Sequence, residues 1–282
     1  MAMDPDEYRQ QSRESWARMA PGWEGRREWL MSATAPVNDW LAAKAEPQPG
    51  QTVLELAAGT GDLGLRLAER VGEAGRVICS DFAPEMLDVA RRNGGARGLS
   101  NEDYRVLDAE RMDLDGASVD AVVCRWGYML MADPGAALRE TRRVLRGGGP
   151  LCFAVWRSPD RNPWASLPAA TLMQLGHVPP PEPGAPGMFA LADEERIASL
   201  VRDAGFAEPE LHEIAFAFRY ADFDDVWDAI LNLAGPLARA VQALSDDERL
   251  HAREAIEQSM SGLRNEDASY TAPAASWGVL AR

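Results

Sequence analysis

The run Thr52-Val53-Leu54-Glu55-Leu56-Ala57-Ala58-Gly59-Thr60-Gly61-Asp62-Leu63-Gly64 constrains the fold more than any other stretch. An apolar, β-rich segment stops at small residues, passes Gly59 and Gly61, and opens into Leu63, Leu65, Leu67 and Ala68. That pattern predicts a strand, a tight turn and a helix. Without a Cβ, Gly59 and Gly61 allow a sharp turn and a close approach of backbone to ligand. The helix then offers free N–H groups and a positive dipole end. The turn is thus suited to a nucleotide-like cofactor. Gly59-x-Gly61-x-x-Gly64 fits the dinucleotide fingerprint, a weak signal by itself. Glu55 argues against it, because a strand buried on both faces normally reads as continuous hydrophobics and a carboxylate there needs a reason.

The stretch Glu55 to Asp62 instead resembles the first motif of class I S-adenosylmethionine (SAM) methyltransferases. Its Ala57-x-Gly59-Thr60-Gly61-Asp62 form is most similar to the C-methyltransferases of ubiquinone and menaquinone biosynthesis, with Ala57 replacing the first glycine of the general pattern. Later segments extend the resemblance. Arg76–Asp81 reads as the second strand, ending in an acid roughly 20 residues beyond the glycines, where a carboxylate accepts from ribose hydroxyls in NAD and SAM proteins alike. Asp81-Phe82-Ala83-Pro84-Glu85-Met86 is similar to the family's acid-to-methionine motif, which implies that Phe82 and Met86 pack against adenine; plain helix–sheet packing is the alternative for Met86. After a third strand at Tyr104–Leu107, the resemblance implies that Asp108 accepts from the adenine amino group while the Ala109 amide reads a ring nitrogen. Capping of the next turn is the alternative for Asp108. Val119–Cys124 reads as a fourth strand, and by resemblance the backbone around Cys124 and Arg125 holds the methionine end of SAM. Arg143 to Gly149, then the strand Leu151–Trp156, are similar to the family's basic-Val-Leu-basic-Pro-Gly-Gly turn, with Gly147 in place of proline.

This resemblance spans roughly residues 50–156. It implies an α/β, Rossmann-like sheet of seven strands, the last antiparallel, with helices on both faces. Two added segments stand out. Residues 1–49 carry four of the nine tryptophans, and helices are expected over Tyr8–Met19 and Pro36–Lys44. They read as packing for the main domain or as an N-terminal lid, in which Trp23 approaches the cofactor by resemblance. Residues 50–221 and 264–282 form the methyltransferase domain, including helices at Pro163–Leu175 and Asp193–Ala204 and a strand at Glu210–Phe218. Helical patterns at Asp222–Leu244 and Asp246–Leu263 precede a closing strand at Ser276–Ala281, so residues 222–263 interrupt the final hairpin as a cap or a homodimer surface.

With 46% hydrophobic and 26% charged residues the chain reads as an ordinary globular enzyme. A net charge of −15 and no basic cluster exclude nucleic acid as a natural substrate. No signal peptide or membrane-length apolar run is apparent, so no stable membrane insertion and a cytoplasmic location are expected. Cys79, Cys124 and Cys152 each fall in a core strand and suggest neither a zinc site nor disulfides; no metal is expected. A sulfonium methyl is already activated, so the protein has mainly to align it and exclude water. The expected reaction is methyl transfer from SAM, leaving S-adenosylhomocysteine, to a small apolar or aromatic acceptor, at carbon or oxygen rather than nitrogen. The sequence identifies no catalytic base. His177 is the best placed of the three histidines, and Tyr128 and Arg125 are alternatives for holding an acceptor oxygen. An NAD-dependent oxidoreductase and a SAM-binding protein without turnover remain as alternatives.

Overall fold

The computed structural model describes residues 4–282. Five parallel strands, β1 (Thr52–Leu56), β2 (Arg76–Asp81), β3 (Glu102–Val106), β4 (Ala121–Arg125) and β5 (Leu151–Trp156), join β6 (Glu210–Tyr220) and β7 (Tyr270–Ala281) in one sheet. The order is β3-β2-β1-β4-β5-β7-β6, with β7 antiparallel to both its neighbours. The chain winds outward from β1 to β3 and then returns to place β4 on the other side of β1. That reversal opens a crevice at the carboxyl ends of β1 and β4, where open α/β sheets bind ligands. The central strands are largely apolar because helices cover both faces, with Glu55 of β1 and Ser80 and Asp81 of β2 as buried polar exceptions.

Helices α1 (Pro5–Gly25), α2 (Arg27–Ala33) and α3 (Ala35–Ala45) precede the sheet. α4 (Asp62–Val71), α5 (Pro84–Ala96), α6 (Pro134–Val144), α7 (Pro163–Gln174) and α8 (Glu194–Asp203) follow. Between β6 and β7 lie α9 (Phe223–Leu233), α10 (Gly235–Gln242) and α11 (Asp246–Ser259). The first helix is longer than its sequence pattern suggested and runs through Pro21, which forgoes one backbone hydrogen bond. The helix expected over Asp222–Leu244 is two helices broken at Ala234, where Gly235-Pro236 starts a new turn.

The final hairpin is also longer than its sequence pattern suggested, with pairing that extends from Glu210↔Leu280 to Tyr220↔Tyr270. Pro273 reads as a strand breaker in the sequence. It is tolerated because β5 pairs with β7 only from Ser276 onward, so no second ladder runs past Pro273. Among the described residues no helix is long and apolar enough to cross a membrane, and no group of three or more His, Cys, Asp or Glu is placed to hold a metal ion. The three cysteines are buried and free.

Candidate functional site

The turn after β1 puts three residues at positive φ: Ala57 at 50°, Gly59 at 55° and Gly61 at 78°. Ala57 thus carries a Cβ in a left-handed conformation that costs roughly 1 kcal/mol or more relative to glycine. Space for that methyl comes from Gly127, whose own Cβ would stand 2.7 Å from that of Ala57. Over Gly59 nothing lies within 4 Å of a Cβ position, so the turn presents open backbone. Asp81, ending β2, grips this turn from the side. Its Oδ2 accepts from the Gly59 amide and its Oδ1 from the Ala83 amide, both at 2.9 Å. Burial pushes its carboxyl up to about 6, against the pull of the Ala83, Gly59 and Phe82 amides.

Glu55 lies below the turn, 2% exposed. Its carboxyl faces α4, where a Cβ on Gly64 would stand only 2.4 Å from Oε2. The third glycine of the motif therefore makes room for this acid. Burial pushes Glu55 up to about 8; Arg125 opposes the shift, while Glu102 and Asp62 add to it. The carboxyl packs against Gly64 of α4, and its Oε2 has no hydrogen-bond partner within the protein.

Helix α1 crosses the carboxyl edge and is tied down at both ends. The Tyr8 hydroxyl donates to the Leu130 carbonyl at 2.8 Å, and Arg9 meets Glu110 at 2.5 Å. At the other end Arg26 pairs with Asp225 and Asp228 of α9, both at 2.6 Å, and Arg27 of α2 pairs with Asp62 at 2.5 Å. Between these ties Trp16 and Trp23 meet edge-on at 5.5 Å and pack with Phe82, Met86 and Val89. The Trp23 Nε1–H is enclosed without a hydrogen-bond partner. Asp108 is exposed and accepts from the Glu110 amide at 2.9 Å, with Ala109 half-buried between them. Arg9, Arg27 and Glu110 escaped the sequence reading; Glu110 follows the Asp108 motif, whereas nothing in the sequence marks the two arginines.

At the end of β4 the Cys124 thiol is enclosed against Gly127 and pushed by burial up to about 12, so only backbone there is available to a ligand. Arg125 reaches back to α3, donating to Asn38 Oδ1 at 3.0 Å. Trp126 stacks on Trp156 at 4.2 Å, and Trp164, Phe216 and Phe218 continue the cluster along the edges of β5 and β6. Two of the candidates for chemistry are placed elsewhere. Tyr128 is fully buried, its hydroxyl bonded to Thr141 Oγ1 at 2.6 Å inside α6, so it cannot hold an acceptor. His177 follows α7 beside Glu248 of α11, with its amide on the Leu172 carbonyl, and no bond links it to the turn. A separate cavity of about 340 Å³ lies near the amino end of β2, lined by Arg76, Arg105, Asp113, Asp115 and Ser118, and shares no residue with the glycine turn.

The strand order, the glycine turn and the acid closing β2 define the class: a Rossmann-like class I methyltransferase. A family described as "Methyltransferase domain" matches residues 53–149. The demethylmenaquinone methyltransferase of Deinococcus radiodurans is 33% identical over 174 residues, covering 58% of this chain and 71% of that protein. The ubiquinone/menaquinone biosynthesis C-methyltransferase of Xanthomonas campestris pv. campestris is 41% identical over 111 residues, 39% of this chain and 44% of that protein. The solved YcgJ protein of Bacillus subtilis shares the fold at a TM-score of 0.58 and 15% identity, over 86% of this chain and 96% of that one. The chain belongs to the SAM-dependent methyltransferases of the ubiquinone/menaquinone C-methyltransferase type. The NAD-dependent oxidoreductase alternative falls with that membership.

Proposed function

We propose that the protein binds SAM across the carboxyl edge of β2, β1 and β4 and transfers its methyl group to a small, largely apolar or aromatic acceptor, most simply at carbon, as the names of its relatives suggest. The bound cofactor would supply an activated sulfonium methyl; the protein supplies position and dryness. Asp81 would take the ribose hydroxyls, while Phe82, Met86 and Trp23 would enclose the adenine side, with Asp108 and the Ala109 amide at its rim. The backbone of Ala57, Gly59 and Gly61, with that of Cys124 and Arg125, would cradle the methionine end, above Glu55. The fit rests on features of this chain: the open backbone over Gly59, the Asp81 carboxyl beside it and the unpartnered Trp23 Nε1–H.

The acceptor side is supported by what covers it. α1 packs on α5, α9 and α10, so the N-terminal segment and the 222–263 insertion form one cover over the crevice. The observation that carries the reading is Asp81 gripping an open glycine turn beneath that cover. Calorimetry with SAM, S-adenosylhomocysteine and NAD tests it, followed by an acceptor screen with radiolabelled SAM. Binding of the first two without NAD, and label transfer to a small aromatic compound, is the expected result. NAD binding with no SAM signal would overturn the reading, and SAM binding without transfer across a broad panel would favour a non-catalytic SAM-binding protein.

A further inference from the structure

Arg125 is the last residue of β4, at the crevice edge, and its charge is enclosed enough that burial pushes its pKa down, although the residue keeps some accessible surface. Nη1 donates to Asn38 Oδ1 at 3.0 Å and Thr34 Oγ1 at 3.4 Å and touches Met31 Sδ at 3.8 Å, all neutral groups. Among the described residues Nε and Nη2 have no hydrogen-bond partner, and no carboxylate stands in salt-bridge range. The carboxyls whose field reaches the guanidinium are Asp62 and Glu55. Asp62 is already held by Arg27 at 2.5 Å, and Glu55, pushed up to about 8, is mostly neutral near pH 7. Arg125 is thus left without a salt bridge of its own, with two donors unbonded within the protein.

A structural role accounts poorly for this, because a partly enclosed guanidinium held only by neutral groups leaves most of its donors unused. The backbone beside it is also strained: Trp126 sits at φ 59°, a conformation costly for a bulky residue and concentrated at functional sites. That conformation sets the Trp126 ring 5.2 Å from the Arg125 guanidinium carbon and stacks it on Trp156. The Arg125 guanidinium therefore meets an aromatic wall at the end of β4, beside α2 and α3.

We infer that Arg125 is the specificity-determining residue for the acceptor, which is a planar aromatic molecule bearing one ionised oxygen, a carboxylate or phenolate, conjugated to its ring. The inference rests on the methyltransferase reading. A fork of free N–H donors matches such an oxyanion in geometry and charge. The net charge of −15 disfavours polyanions but permits one ion pair in an enclosed site.

The test uses full-length protein saturated with S-adenosylhomocysteine and titrated with 2-naphthoate, 4-nitrophenolate and neutral 2-naphthamide, read by tryptophan fluorescence. Wild type should prefer at least one anion over the amide by about tenfold or more, and which anion wins tells carboxylate from phenolate. Arg125→Met should lose that preference and bind the amide unchanged, Arg125→Lys should recover part of it, and S-adenosylhomocysteine affinity should stay within about twofold in both. Arg125→Met should melt no lower than wild type. Equal affinities of wild type for all three probes would overturn the inference. So would an anion preference surviving in whichever variant folds, or a loss confined to S-adenosylhomocysteine, which would make Arg125 a cofactor clamp. If wild type fails to bind S-adenosylhomocysteine, the methyltransferase reading fails, and the probe preference of the unliganded protein and its variants still decides the role of Arg125.

Discussion

Glu55 and Asp81 are carboxyls on neighbouring strands whose surroundings give them different duties. Glu55 is pushed up to about 8 from an ordinary 4.5. Between those values the folded protein holds a proton that the unfolded chain has released, so stability falls as pH rises through that window. Glu55→Gln should remove this dependence: relative to wild type it gains stability steadily from about pH 5 to about pH 8 in urea melts and levels off above that. Parallel profiles for the two proteins would contradict a protonated Glu55. Asp81, pushed up to about 6 from 3.8, follows the same sign over a lower window, its stabilising proton being lost as pH rises towards 6. Ligand binding runs the other way, since ribose hydroxyls need the ionised carboxylate as acceptor. S-adenosylhomocysteine affinity should therefore fall as pH drops through about 6. Asp81→Ala should weaken binding at neutral pH by roughly 1.5–3 kcal/mol. Unchanged affinity in a folded Asp81→Ala protein would remove Asp81 from the site.

The packing of α1 on α9 and α10, the basis of the proposed cover, brings helices together at glycines. A Cβ on Gly22 of α1 would stand 2.4 Å from the Asn232 carbonyl oxygen of α9, and one on Gly235 would stand 2.4 Å from Met19 Sδ. The first approach, onto backbone, requires a residue without a side chain, whereas the flexible Met19 side chain can yield at the second. Gly22→Leu should prise α1 from α9, leaving S-adenosylhomocysteine affinity within a few fold but cutting methyl transfer by tenfold or more and exposing α1 to trypsin, on the order expected for lost positioning. Replacing residues 222–263 by a short linker should do the same more severely, keeping cofactor binding while losing transfer. If these helices only joined two copies of the chain, the deletion would leave a monomeric, active enzyme. The substitution and the deletion together make the outcome independent of any single packing defect.

For the whole molecule, a ligand that binds only the folded state stabilises it in proportion to its concentration. S-adenosylhomocysteine at about 100 times its dissociation constant should add about 2.7 kcal/mol, seen as an upward shift in the thermal transition, whereas NAD should add none. The path from edge to edge of the sheet also explains why the added segments converge. β6 runs in the same direction as β5, so the chain leaves β6 at the carboxyl edge, where the insertion begins and where α1 already lies.

The sequence alone determined the framework of the proposed cofactor half. The five parallel strands, the glycine turn and the acid at Asp81 are local features, each written in contiguous residues whose periodicity and spacing follow from backbone geometry. It also marked the two added segments, though it read one helix where Ala234 divides two and began the closing strand at Ser276 where β7 begins at Tyr270. Those errors arose because a breaker's effect depends on which neighbours it faces, which no local window contains. The acceptor half was decided by tertiary structure. Tyr128 looked available at the edge and is locked to Thr141, while Arg9, Arg27 and Glu110, far apart in the chain, fasten the cover. The charge state of Glu55 and the lack of a salt bridge at Arg125 depend on burial among groups from α3, α4, β1, β3 and β4, and burial is a property of the packed molecule, not of the order of its residues.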